Sequence, residues 1–517
     1  PEPEPEPEPE PKLDKKEPPP EPEPEVKEEE EEAKPDDEPA PVPVPVSVPA
    51  PAPAPAPTTA PKEEEKEEPK EEEKDDPVPT PAPAPAPAPA HVPAPTPTTT
   101  TTTPDSDPDS DPSPEPNSDP DPDPVDDSFD KDYPPSTDKL TLEEAKAVRK
   151  LVFKDSSVTF NAAWAKQGFF FSKEEELQYG LIQLEGGPCG VVATVQAFVL
   201  RHLLFGDAKP PADAKESWKE PGKKEQKQAV CYAIASIIWG CASSKVGTGD
   251  SYGKVTMNRP AKVCIAPDDK AHLQRSKDFK HDGVTEKIHV VTCFNYEDCY
   301  QTVRDNLSTF MKKDGPGVIL LCFSCLLSRT PEQVVKDMDS SEGIVPRMIG
   351  NHGYANQEFV NLYMTGAAVS NTFDGQKILG DETGASDDAM TFGGIAHQND
   401  IGFLTLFEAF GNLECGQNFK VPVCPVWVVC SESHYSTLFS PVAGHTVVDE
   451  SVKKTDIYYF DPLGEQDEEI KLTLDRDAED VPEGGGEETD LTPPIDKVVR
   501  TKWGRVGVDW NGAEPIL

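Results

Sequence analysis

Forty-two of the 60 prolines in this 517-residue chain fall within its first 134 residues, and that asymmetry decides how much of the chain can fold. The same stretch holds 40 acidic and 10 basic side chains and almost no large apolar ones. Nothing there can offset the entropy of ordering a backbone, so residues 1–134 are expected to form a long disordered, acidic, Pro/Glu-rich tail. Its Pro-Glu and Pro-Ala alternations and Asp-Pro-Ser repeats favour an extended, self-repelling spacer with no chemistry of its own. Residues 135–517 carry 56 acidic and 39 basic groups, with prolines at ordinary density. They are expected to form the functional domain, large enough for a substantial core.

A formal net charge of −47 argues against a nucleic-acid partner, because neutralising phosphates takes clustered Lys and Arg. No apolar stretch reaches the roughly 20 residues of a membrane span, and no membrane partner is expected. No secretory leader is expected either, although the chain opens on Pro1 rather than Met. The 11 cysteines are odd in number and sit in hydrophobic contexts, which points to a reducing compartment, cytosol or nucleus, and not to a disulfide framework.

Along the globular part, Thr141-Leu-Glu-Glu144 is a capping-box pattern, and the apolar spacing that follows predicts a helix to Phe153. A short helical piece is expected around Asn161–Gln167. After Gly186-Gly-Pro-Cys-Gly190 the apolar run Val191–Phe205 predicts a helix buried on most sides, with Pro188 in its first turn. Helices are also expected over Gln228–Cys241, Tyr296–Met311, Gln357–Thr365 and Leu404–Phe410. Strands are expected over Val255–Ile265, Ile288–Phe294, Val426–Cys430, His434–Ser440, Ile457–Phe460 and Ile470–Leu474. Gly317–Leu327 has the short, apolar character of an internal strand or strand-turn. Glycine-rich loops are expected over Gly380–Asp388 and Asp475–Thr492, with a last ordered piece at Val498–Trp510. Helices and strands mixed without regular alternation indicate an α+β fold.

Cys189 is the natural centre for chemistry. A helix N-terminus and a nearby histidine lower a thiol's pKa from about 8.5 toward the reactive range. Glycines on both sides would let a substrate backbone come close. A buried structural cysteine is the ordinary alternative, and a lone Cys before a helix does not decide between them.

Residues 167–205, with Gly-Leu-Ile-Gln-Leu-Glu-Gly-Gly-Pro-Cys-Gly-Val-Val-Ala, resemble the nucleophile segment of the MINDY deubiquitinases, cysteine isopeptidases of a variant papain-like fold. Val426–Ser440 is similar to the segment bearing that family's histidine. Asn351-His-Gly-Tyr354, Asp400-Ile-Gly-Phe-Leu404 and Asp509-Trp-Asn-Gly-Ala-Glu-Pro-Ile-Leu517 resemble the branch of its third and fourth human members. The similarity runs in order over most of residues 139–517 and leaves out the tail.

The resemblance implies Cys189 as nucleophile, His434 as general base and Gln183 as oxyanion donor. It also implies ubiquitin and polyubiquitin, linked through lysine forty-eight, as substrate, cut by way of a thioester on Cys189. The residues agree in part: His434 opens a strand after a tight Ser-Glu-Ser turn, which would set an imidazole at the sheet's edge facing a helix N-terminus. Asp461 follows a strand and could orient His434, but Asp before Pro also opens ordinary turns, and Pro462 departs from the pattern of the family, so the orienter stays open. Glu174–Glu176 offers an acidic rim. No cofactor and no metal is expected: Cys322-Phe-Ser-Cys325 has no second ligand pair, and Gly247–Lys254 lacks the strand and the Ser or Thr of a phosphate loop. A monomer is expected, and the alternative function is a catalytically weak or inactive ubiquitin-binding protein of the same fold.

Overall fold

The computed structural model describes residues 134–206, 218–244, 256–257, 259–267, 270–339, 346–379, 390–479, 481 and 492–515. All lie in the unit that spans Ser118–Leu517. The expected disordered tail, the loop at 380–388, most of the loop at 475–492 and the phosphate-loop motif at 247–254 lie outside the described residues.

The fold is mixed, as helices and sheets without regular alternation predicted. Its larger sheet has six strands in the spatial order Gly507–Asp509, Ile470–Asp475, Lys454–Phe460, His434–Phe439, Val426–Ser431 and Gly402–Thr405. Neighbours are antiparallel except the last pair, which is parallel. Both faces are covered. In Val426–Ser431 the side chains of Val426, Val428 and Cys430 enter the main core, while Trp427 and Val429 enter a second cluster beneath the Pro494–Trp503 helix. Burial on both faces explains why this strand reads as a continuous apolar run and not as alternation.

The Cys189–Phe205 helix lies on the main-core face of this sheet, against strands His434–Phe439 and Val426–Ser431. It packs in turn on helix Lys223–Ala242, and that helix on Gly317–Arg329. A three-stranded antiparallel sheet, Ser136–Lys139, His289–Cys293 and Ala261–Ile265, closes the far side. Helix Leu142–Phe153 begins at the expected capping box, with the Thr141 and Glu144 side chains each bonded to the other's backbone N–H. Helix Gln357–Thr365 has the expected bounds. No single helix among the described residues is long and apolar enough to cross a membrane.

Three expectations are corrected. Gly317–Arg329 is a helix, not a strand: all 13 residues are buried, so no amphipathic stripe marks its period. Its serines point to the helical state only in three dimensions, where the Ser324 hydroxyl donates to Leu320 O and accepts from Cys264 N of the adjoining strand. Leu404–Phe410 is divided, with strand Gly402–Thr405 running straight into the one-turn helix Leu406–Ala409, which the Thr405 side chain caps. The edge strand Ser136–Lys139 escaped notice because its four residues are all exposed and carry no apolar pattern.

Gly190 lets the head of the central helix pack closely against the start of the Gln357–Thr365 helix and against strand His434–Phe439. A Cβ there would lie 2.9 Å from Val360 Cγ2, 3.3 Å from Ala355 Cβ and 3.4 Å from Tyr435 Cδ2. This glycine serves internal packing and not the approach of a substrate backbone. Gly190→Ala is therefore expected to destabilise the domain by about 1–3 kcal/mol through overpacking. Denaturant unfolding measures it, and a midpoint equal to that of the parent would contradict the close approach.

Candidate active site

Cys189 is the first residue of its helix. Gly187, at φ +130°, makes a turn that side chains rarely adopt, and Pro188 is the N-cap instead of the first-turn residue expected. No side chain caps this end. Its first N–H groups have no acceptor within the helix and are donors that a negatively charged group beside this end could use. Cys189 is 1% exposed, with Sγ 3.8 Å from Ser433 O and 4.0 Å from Gly187 O.

Ser433 belongs to a two-residue hairpin that joins Val426–Ser431 to His434–Phe439, with Ser431 paired to His434. Glu432 takes up the tight reversal with φ at +56°. The hairpin places His434 at the end of an interior strand, not at the lateral edge of the sheet, and brings it to Cys189.

Asp461 follows Phe460, whose partner across the sheet is Thr437. Its Oδ2 accepts from His434 Nε2 at 2.6 Å. Because a carboxylate only accepts, Nε2 carries the proton, and Nδ1 is the ring nitrogen left for Cys189, whose side chain acts electrostatically on the ring. The other carboxylate oxygen, Oδ1, accepts from Leu463 N at 2.9 Å and closes the turn that Asp before Pro implied. Both readings of Asp461 hold, one on each oxygen. Gly464 allows the turn to fold over the carboxyl, since a Cβ there would sit 3.1 Å from Asp461 Oδ2.

Burial lowers the His434 pKa, but the hydrogen bonds to Asp461 and Cys189 and the charges of both outweigh it and raise the group from 6.5 to about 10. The carboxylate and the sulfur thus favour the imidazolium, the partner a thiolate needs.

Gln183 is held beside this pair. Its backbone N–H donates to Pro462 O at 2.8 Å, next to Asp461. The flanking residues are tied to buried Gln167, whose Oε1 accepts from Leu184 N at 2.8 Å and whose Nε2 donates to Ile182 O at 2.9 Å. Gln183 is buried, its Nε2 donates to Glu185 O at 2.7 Å, and its Oε1 has no partner. One of the amide's two N–H donors is thus engaged by its own neighbour, and the other is left to serve an oxyanion.

The remaining candidates lie elsewhere. Glu176 stands within electrostatic reach of Lys219 and Tyr179. Cys322 and Cys325 are buried in the Gly317–Arg329 helix. Sequence reasoning missed a groove of about 640 Å³ bordered by Glu432, Ser433, Tyr435 and Tyr354 on the dyad side and by Glu358 and Lys377 beyond. Burial raises the Glu358 pKa. The sequence signs near this groove were the family resemblances at Asn351–Tyr354, Glu358–Leu362 and Val426–Ser440.

Residues 149–512 match the model of the family described as "Deubiquitinating enzyme MINDY-3/4, conserved domain". The chain is 38% identical over 380 residues to a "Probable ubiquitin carboxyl-terminal hydrolase MINDY-4" of Xenopus tropicalis, covering 73% of this chain and 47% of that relative. It is 38% identical over 386 residues to the MINDY-4 of Homo sapiens, covering 73% and 46%. Similarity to a "Ubiquitin carboxyl-terminal hydrolase MINDY-3" of Mus musculus is 31% over 301 residues, covering 55% and 61%. The chain spans about half the length of the MINDY-4 relatives it matches. No solved structure matches it.

The geometry predicts how His434 titrates. Its pKa lies above the ordinary value, so the charged ring persists from below pH 6.5 up to about 10, and the stability it contributes is lost as pH rises through that value. Asp461→Asn should move the midpoint well below 10, as followed by nuclear magnetic resonance of the ring protons. An unmoved midpoint would detach His434 from Asp461.

Proposed function

The chain belongs to the MINDY-3/4 deubiquitinating-enzyme family, and from that premise we propose that it is a thiol-dependent ubiquitinyl hydrolase with a variant papain-like fold. Its proposed reaction is cleavage of the isopeptide bond between the C-terminal glycine of ubiquitin and a lysine amine. The observation that carries this reading is the convergence of a helix-N-terminal thiol, an imidazole and a carboxylate from three distant segments.

Cys189 Sγ, as thiolate, attacks the glycine carbonyl beside the His434 imidazolium. The carbonyl electrons move onto oxygen, where the unfilled N–H groups at the head of the Cys189–Phe205 helix and the Gln183 amide offer donors. Collapse expels the lysine amine, which takes its proton from His434, and leaves a thioester between Cys189 and ubiquitin. Neutral His434 then removes a proton from water as the oxygen attacks the thioester. Ubiquitin leaves with a free carboxylate, and the thiolate and imidazolium return. Asp461 keeps Nε2 protonated and stabilises the charged ring. A preference for lysine-forty-eight-linked chains rests on the family likeness, and a reducing compartment suits its eleven free, buried cysteines.

One feature favours the second reading, a ubiquitin-binding protein of weak or no turnover: in the free chain Cys189 is covered. The two readings separate on labelled tetra-ubiquitin incubated with the purified protein. An active hydrolase releases shorter chains, and Cys189→Ala removes both cleavage and labelling by a ubiquitin probe with a thiol-reactive end. Gln183→Ala is expected to lower kcat by about 10²–10³, the loss typical of one oxyanion donor, with little change in KM. Binding without cleavage by the parent protein would establish the second reading.

A further inference from the structure

A cleft of about 680 Å³ lies between helix Lys223–Ala242 and helix Tyr296–Asp305 with its continuation to Met311. Lys224 and Lys227 line one wall, a turn apart and followed a further turn on by Cys231, and Tyr300 and Arg304 line the other at the same helical spacing. Three cations therefore border the cleft against a single carboxylate, Asp305, in a chain whose net charge is −47. Arg304 and Asp305 approach no closer than 3.9 Å and are both more than half exposed, so that pair is worth little and leaves the guanidinium open to another anion. A cationic recess on so acidic a chain selects an acidic, extended ligand.

We propose that this cleft is the docking site for the acidic segment of the same chain at residues 119–132. That segment carries seven aspartates and one lysine, with Phe129 among them. Its tether fixes the choice. Ser136, four residues past Asp132, pairs with Thr292 at the end of strand His289–Cys293, and that strand leads through Asn295 into helix Tyr296–Asp305. The segment therefore joins the domain close to the head of the helix whose far end forms the cleft. From Tyr296 to Arg304 the helix rises about 12 Å. Fourteen residues reach at most about 50 Å when extended. The span is covered with length to spare, and a short tether of this kind gives an effective concentration in the millimolar range, above that of any free acidic peptide of equal charge.

Occupancy by a tethered segment is read as competition. A fluorescent peptide with the sequence of residues 119–132 is titrated at low salt into two full-length proteins: the parent chain, and a variant with all seven aspartates of the segment changed to Asn. The peptide is expected to bind the variant at least tenfold more tightly than the parent. The advantage disappears when Lys227→Glu and Arg304→Glu are added, and it shrinks as salt screens the charges. Equal affinity for parent and variant, or binding to neither, overturns the proposal. Protection in the parent that grows with protein concentration also overturns it, because the segment would then come from a second copy.

Discussion

The contact between the head of the Cys189–Phe205 helix and the start of strand His434–Phe439 governs the rest of this structure. It requires a residue without a side chain at 190, because Val360, Ala355 and Tyr435 occupy the space a Cβ would need. It also requires the backbone reversal at Glu432 and the turn at Asp461, which hold the imidazole from the opposite side. The missing side chain at Gly190 allows the close approach, and the Asp461 hydrogen bond sets which nitrogen faces the sulfur. Neither alone makes a reactive pair. Together they explain why a carboxyl, a ring and a thiol from separate segments meet at one point.

The parts of the fold legible in the sequence are those with a local physical cause. The Leu142–Phe153 helix announced itself because Thr141 and Glu144 satisfy each other's backbone, and strand Val426–Ser431 because aromatic and β-branched residues fill both of its faces. The Gly317–Arg329 helix failed the same test. Complete burial erases the polar face by which a helix shows its period. Ser136–Lys139 failed for the opposite reason: its reason for being a strand lies in the partner His289–Cys293 and not in its own side chains.

The candidate site follows the same division. The place of Cys189 at a helix start was legible because Gly-Gly-Pro is a local instruction to start a helix, and that of His434 because a short polar turn separates two apolar strands, but their pairing was implied only by the family resemblance. Asp461 was legible as a turn residue and as one of two open readings an orienter of His434, and only the sheet register that brings Phe460 opposite Thr437 decides for the second use. Gln183 marks a further limit. Its placement beside Pro462 comes from the backbone hydrogen bonds of residues 182–184 to buried Gln167 and to Pro462, while the direction of its amide is set by Glu185 O, a contact no spacing rule foretells.

The order of these segments along the chain has a consequence for biosynthesis. The helix that Cys189 begins leaves the ribosome first, and of the two residues that meet it, His434 and Asp461, the farther lies 272 residues later. At roughly 5–20 residues per second the nascent chain carries Cys189 for about 14–54 s before Asp461 has been polymerised. During that interval the thiol has neither the imidazole nor the carboxylate beside it. An unfinished or prematurely released polypeptide thus lacks the completed cluster of thiol, imidazole and carboxyl, which assembles only when nearly the whole domain has been made.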